Sequence, residues 1–272
     1  MKNFFARTIT AFVFVFIIIG SICWNQFIFA AVFQLITLLG VWEFYKLVET
    51  NEIKPQKLTG LIISSLMFLS FCFASMQLIN IKFLLAIIAL VFIIFIVEIF
   101  RKKIKPFHNI AFTILGIIYV ALPFSLLNFF FNPTLSDNTF LPEILLGFLF
   151  ILWLNDTSAY LFGMLFGKHL LFPRLSPKKT WEGFISGITI SLISAYVISL
   201  FYIELSLLQW ILIALIIIVF SILGDLSESM LKRSLNHKDS GNLLPGHGGI
   251  LDRFDGLFIT VPFVLLYLIF FI

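Results

Sequence analysis

Charge is scarce in this chain: Asp, Glu, Lys and Arg make up 12% of its 272 residues, hydrophobic residues make up 61%, and the mean hydropathy is +1.10. A soluble domain carries about 25% charged residues, so that class is excluded and lipid is the solvent for most of the chain. Cysteine is also rare. Cys23 and Cys72 both lie in apolar stretches, which excludes a disulfide framework and a CxxC centre and leaves two inert thiols as the expectation. Apolar residues do not alternate at period two, which excludes a membrane barrel. There is no internal repeat and no G-x-x-x-x-G-K-[ST] loop, and no Ser-His-Asp set is evident. The longest polar stretch, Ser227 to Arg253, is too short to fold around a core of its own.

What is abundant is apolar sequence in runs of about 17 to 25 residues, the length at which a helix crosses a hydrocarbon layer roughly 30 Å thick. Thirty-six phenylalanines, with many Ile and Leu, read as lipid-facing filler. Runs bounded by charges, prolines or polar clusters predict spans near 4–22, 26–48, 58–78, 82–100, 108–131, 143–166, 182–203, 208–226 and 255–271. The expected fold is therefore all-α and polytopic, with about nine transmembrane helices. Lys2 and Arg7 ahead of the first run resemble a signal peptide, but Ile22-Cys23-Trp24 lacks a small-residue cleavage pair, so an uncleaved first helix is expected.

The basic residues test that count independently, because short loops rich in Lys and Arg stay on the cytoplasmic side. Starting inside and alternating, 17 of the 18 Lys and Arg fall inside and only Lys82 falls outside. The amino terminus is thus expected inside and the carboxyl terminus outside. The net charge of +4 follows from the same bias, and it points to anionic lipid headgroups before nucleic acid. The chain divides into residues 1–131, five spans with short basic loops, and 132–272, four spans with three polar clusters.

The first cluster is Asn155-Asp156-Thr157-Ser158-Ala159-Tyr160, followed by Gly163 and Gly167. An aspartate inside a span costs about 2.5–3.5 kcal/mol on insertion scales, so Asp156 is expected to face a cavity or a partner group. Asp156, Tyr160, Gly163 and Gly167 share one helical face, and Ala159, Gly163 and Gly167 follow the small-xxx-small pattern that lets helices approach closely. The second cluster, Ser176-Pro177-Lys178-Lys179-Thr180-Trp181-Glu182-Gly183, has two readings. It is either a basic, helix-starting turn with an interfacial Trp, or a phosphate site made by a helix amino terminus with adjacent ammonium groups.

The third cluster begins at Gly224-Asp225 and ends at Asp252-Arg253-Phe254-Asp255. If the eighth helix runs past the membrane surface, Asp225, Glu228, Ser229 and Lys232 form one stripe at i, i+3, i+4 and i+7. Three glycines around His247 would let backbone amides come close to an anion. Asp252 and Asp255 lie on one side of the last helix. The bland reading is a solvated loop obeying the inside bias. The sharper one is a site where two anionic reactants meet: carboxylates hold Mg²⁺, while Lys, Arg and N–H groups cover phosphate oxygens. An ionised phosphate nucleophile needs no general base.

From Ser229 to Asp255 the pattern S-x-x-K-R-x4-K-D-x-G-x2-L-P-x-H-G-G-x-x-D-R-x-D resembles the signature of phosphatidate cytidylyltransferases, or CDP-diacylglycerol synthases. More than a dozen specified positions agree within this stretch. The resemblance covers roughly the carboxyl-terminal half, and the first five spans match only in hydropathy and length. It implies a nine-helix enzyme of the bacterial cytoplasmic (inner) membrane, usually a homodimer, acting on CTP and phosphatidic acid to give CDP-diacylglycerol and pyrophosphate. It implies Mg²⁺ on Asp225 and Asp252, with a second, monovalent cation as a further option. Lys232, Arg233, Lys238, Asp239, His247, Arg253 and Asp255 carry over as active-site positions. Asp156, Ser176, Lys178, Lys179, Thr180, Glu228, Ser229, Gly248 and Gly249 are the expected substrate contacts.

Three other readings compete. A CTP-dependent lipid kinase or an ether-lipid CDP synthase would belong to the same superfamily. Asp252-x-x-Asp255-Gly256 also resembles the opening of a CDP-alcohol phosphotransferase motif, but that motif wants Ala-Arg where this chain has Ile259-Thr260. A transporter would place its polar residues near the midplane from both halves of a repeat, and here they lie on one side.

Overall fold

The structure is a computed structural model that describes residues 2–132, 141–235, 240–241 and 248–272, with side chains from Phe12 onward. Helices dominate it, as they must where no water is present to satisfy backbone N–H and C=O groups. The helices are α1 (Lys2–Trp24), α2 (Gln26–Val48), α3 (Lys57–Ser75), α4 (Leu85–Arg101, entered by a 3-10 turn at Ile81–Leu84), α5 (Pro106–Gly116) and α6 (Leu122–Leu126). They continue with α7 (Pro142–Phe166), α8 (Trp181–Phe201), α9 (Leu207–Ser234) and α10 (Leu251–Phe271). Helices α5 and α6 form one rod, Pro106–Phe131, joined by a π-helical turn at Ile117–Ala121. Pro123 explains that turn: it has no N–H to give the carbonyl of Tyr119, and the widened turn before it instead pairs Leu122 N–H with Ile117 O.

Among the described residues, eight helical segments are each long and apolar enough to cross a membrane, and α1 supplies a further apolar helix. The chain is a multi-pass membrane protein. All nine expected spans coincide with a helical rod, and many large apolar side chains face outward, from Phe16 to Ile203. Cys23 is exposed, Cys72 is buried, and both are free thiols.

Local chemistry sets the helix starts. Asn25 Oδ1 accepts from Ile28 N–H at 2.9 Å to open α2, and Pro106 and Pro142 stand at the first turns of α5 and α7. Ser206 and Gln209 form a reciprocal capping box at α9. The segment before α8, read from sequence as a loop, is an antiparallel hairpin of β1 (Leu170–Phe172) and β2 (Ser176–Thr180), pairing Leu170 with Thr180 and Phe172 with Ser176.

The described residues group into two compact units, one drawn from 2–132, 240–241 and 248–254, the other from 141–235 and 255–272. The first is built on α2 and α3, with Phe29, Phe33, Phe44, Phe124 and Phe131 fully enclosed. It also buries a polar knot in which Glu98 accepts from Gln56, Asn109 and Arg101, each at 2.7 Å. The second is built on α7, α8 and α9, with Trp210 buried against Gly147.

Candidate active site

In the second unit the expected small-residue face of α7 is where α8 packs. A side chain added at Gly183 would meet Ala159 O at 2.5 Å and Gly163 Cα at 3.1 Å, and one at Gly187 would meet Asn155 Oδ1 at 2.9 Å. This contact fixes the start of α8. There Thr180 caps the helix, its Oγ1 accepting from Gly183 N–H at 3.2 Å. The strand leading into that cap, β2, carries Ser176, Lys178 and Lys179. Lys178 is exposed, whereas Lys179 turns to α9 and places its Nζ 2.6 Å from Asp225 Oδ2.

Helix α9 does continue beyond the apolar run, to Ser234, and carries the expected stripe. Ser229 Oγ donates to Asp225 Oδ1 at 3.3 Å, and Lys232 Nζ donates to Glu228 Oε2 at 2.6 Å. Glu228 is fully buried, while Arg233 is exposed. Asp156 on α7 accepts from Asn155 Nδ2 at 3.1 Å and senses the charges of Lys179 and Asp225. Asp255 on α10 senses Asp225, Glu228 and Asp156. The approach of α10 to α9 rests on another glycine pair: a side chain at Gly224 would meet Asp255 O at 2.5 Å and Gly256 Cα at 3.0 Å. Seven of the expected residues, Asp156, Lys179, Asp225, Glu228, Ser229, Lys232 and Asp255, therefore gather around α9.

Asn155 adds an element that sequence reading left out of the site. It is buried, donates to Ser221 Oγ at 3.1 Å and accepts from Ser191 Oγ at 3.2 Å, tying α7, α8 and α9 together one residue from Asp156.

In the first unit Asp252 and Arg253 occupy the first turn of α10. Asp252 Oδ2 accepts from Gly249 N–H at 2.9 Å, from Ser240 N–H at 3.2 Å and from Ser240 Oγ at 2.8 Å. The amide of Gly249 that sequence reading offered to a substrate anion is thus given to the protein's own carboxylate. Gly248 takes a left-handed φ of +81°, and a side chain there would sit 2.7 Å from Asp252 Oδ2, so only glycine fits without strain. A buried acid, Glu43 on α2, reaches the same segment and was missed. Its signal was available: an acid within an expected span, the criterion that singled out Asp156. Lys238, Asp239 and His247 lie outside the described residues.

Oxygen-only donors suit a hard cation such as Mg²⁺. Among the described residues no three His, Cys, Asp or Glu are gathered closely enough to enclose an ion by themselves. Mg²⁺ asks for less, usually one or two carboxylates with the remaining positions taken by water and substrate phosphates. The ammonium of Lys179 on Asp225 marks that carboxylate edge as one that takes a cation. The residues present fit the ion on those terms.

Residues 5–271 match the model of the cytidylyltransferase family. A phosphatidate cytidylyltransferase of Staphylococcus aureus (strain COL) is 36% identical over 269 residues, covering 97% of this chain and 98% of its own. One from Staphylococcus epidermidis (strain RP62A) is 37% identical over 270 residues, with the same coverage. One from Staphylococcus haemolyticus is 44% identical over 186 residues, 68% of each chain. The match thus extends through the first five spans, where the sequence alone had offered only hydropathy, and the chain belongs to the cytidylyltransferase family.

Proposed function

We propose that this protein transfers the cytidylyl group of CTP to phosphatidic acid, giving CDP-diacylglycerol and pyrophosphate, for phospholipid synthesis. The observation that carries this reading is the Lys179–Asp225 pair on the α9 stripe, in a family member whose curated relatives are named phosphatidate cytidylyltransferases. A phosphate oxygen of phosphatidate attacks the α-phosphorus of CTP, a new P–O bond forms, and the bond to the β-phosphate oxygen breaks. The nucleophile is already ionised, so positioning and charge neutralisation supply the catalysis.

Ser176, Lys178, Lys179 and the amino terminus of α8 bind phosphate oxygens, the helix end contributing N–H groups and its positive dipole. Lys232, Arg233, Lys238 and Arg253 offset the charge that builds on the leaving pyrophosphate. Asp156, Glu228 and Ser229 keep those ammonium groups and the substrates in register. Asp239, His247, Asp255, Gly248 and Gly249 complete the active-site set. We assign Mg²⁺ to Asp225 and Asp252, where, when bound, it neutralises phosphate charge. A monovalent ion is a second candidate, and a homodimer is the proposed assembly.

Nine helical rods among the described residues and the 17-to-1 split of Lys and Arg support a cytoplasmic amino terminus, an outside carboxyl terminus, and an active site at the inner face of the bacterial cytoplasmic membrane. The test uses purified protein with CTP, phosphatidate and Mg²⁺. Pyrophosphate release that needs both substrates is expected, and it should vanish in Asp252→Asn while the variant still folds. Undiminished release from that variant would remove Asp252 from its role.

A further inference from the structure

We propose that Glu43, in the amino-terminal half and far from the signature in sequence, is a positioning residue for cytidylyl transfer. It would act by holding the segment that orients Asp252. The inference rests on the function proposed above. Glu43 is 2% exposed and stands inside a transmembrane helix, a placement that requires its charge to be met by other groups.

Among the described residues, those groups come from the signature segment. Ile250 N–H donates to Glu43 Oε2 at 2.9 Å, Leu251 N–H donates to Oε1 at 3.1 Å, and Ser240 Oγ lies 2.6 Å from Oε1. Ile250 and Leu251 mark the amino terminus of α10, whose first N–H groups have no partner within the helix. Glu43 therefore caps α10 from another helix, and its negative charge sits at the positive end of the helix dipole. Ser240 Oγ also lies 2.8 Å from Asp252 Oδ2, so one hydroxyl stands between the two carboxylates and gives its single proton to one of them at a time. Asp252 in turn takes the amide of Gly249, next in the chain to the Ile250 amide that Glu43 takes.

The backbone comes close to make this possible. A side chain at Gly249 would fall 1.8 Å from Glu43 Oε1, and one at Gly241 would fall 2.8 Å from the Glu43 carboxyl carbon. Two glycines of the signature are thus explained by an acid outside it. Among the described residues no Lys, Arg or His forms an ion pair with Glu43.

The test is Glu43→Gln in the full chain, reconstituted in vesicles containing phosphatidate. The amide keeps the shape but turns an NH₂ group toward a backbone N–H. Per folded molecule, kcat should fall at least tenfold while KM for CTP changes less than threefold. The amides of Gly249, Ile250 and Leu251 should exchange hydrogen at least tenfold faster, with those of α8 unchanged. Ser240→Ala removes that hydroxyl alone and keeps the inference testable should Glu43→Gln fail to fold. Its kcat should fall, and in the double variant the losses should be less than multiplicative, because both act through one link. Parental kcat in Glu43→Gln, multiplicative losses, or loss only in step with the folded fraction would overturn the inference. If the parent protein releases no pyrophosphate, the proposed activity fails instead, while the exchange measurement still reports whether Glu43 holds the segment.

Discussion

Lys179 and Asp225 show how a single contact separates chemistry from stability. Their side chains are 22% and 35% exposed, so the ion pair contributes at most about 1 kcal/mol to the fold. Charge aimed at a phosphoryl transition state in a sheltered site is worth more, about 10²- to 10³-fold in rate for one donor. Lys179→Gln is therefore expected to lower kcat about 100-fold while the melting temperature moves by less than about 5 °C. Parallel turnover and thermal-melt measurements check both halves, and a large drop in melting temperature with normal turnover would assign the lysine to structure. At this scale sequence reading found the acids and bases of the third cluster because they break a long apolar pattern. It passed over Glu43, flanked by Trp42 and Phe44, although an acid within an apolar run was the same signal; its partners, two backbone amides and Ser240, lie about two hundred positions away and leave no trace in local spacing.

Helices were legible because lipid permits little else, and each of the nine apolar runs coincides with a rod among the described residues. The β1–β2 hairpin was not. Its first strand is three apolar residues beside a proline, too short to display a period, and its second was read as a turn leading into α8. The glycines on α7 and α8 were legible in part. Their spacing predicted a close-packed face, but only the fold shows that Gly183 and Gly187 of α8 are the partners. That contact sets where the hairpin and Lys179 sit, so it carries a stability prediction. Gly183→Ala puts a methyl group 2.5 Å from the carbonyl of Ala159 and should cost about 1–3 kcal/mol by overpacking. Gly20→Ala, with nothing within 4 Å of the added carbon, should be neutral or slightly stabilising. Detergent-denaturation midpoints of the two variants check the contrast, and equal effects would argue against α7–α8 contact as the determinant.

For the whole molecule the governing expectation is a one-sided distribution of charge. It came from residue counts alone, and it predicts which face meets nucleotide. With Cys23 and Cys72 replaced by serine, a lone cysteine at Ser234 should react with a membrane-impermeant maleimide in inverted vesicles and not in intact cells. Labelling in intact cells would reverse the proposed orientation. The family resemblance was readable in the 27 residues of the signature, Ser229 to Asp255, yet the match runs from residue 5 to residue 271. In the first unit α2 holds the start of α10, which ties the amino-terminal half to the signature segment.

The central claim is that the α-phosphate of CTP moves onto a lipid phosphate. The direct measurement is CTP labelled at the α-phosphorus, incubated with the purified protein, phosphatidate and Mg²⁺, followed by extraction of lipid. Label should enter the lipid at the same rate as pyrophosphate is released, one for one. Label remaining on water-soluble nucleotide while a phosphorylated lipid accumulates would contradict cytidylyl transfer and assign the chain to CTP-dependent lipid phosphorylation.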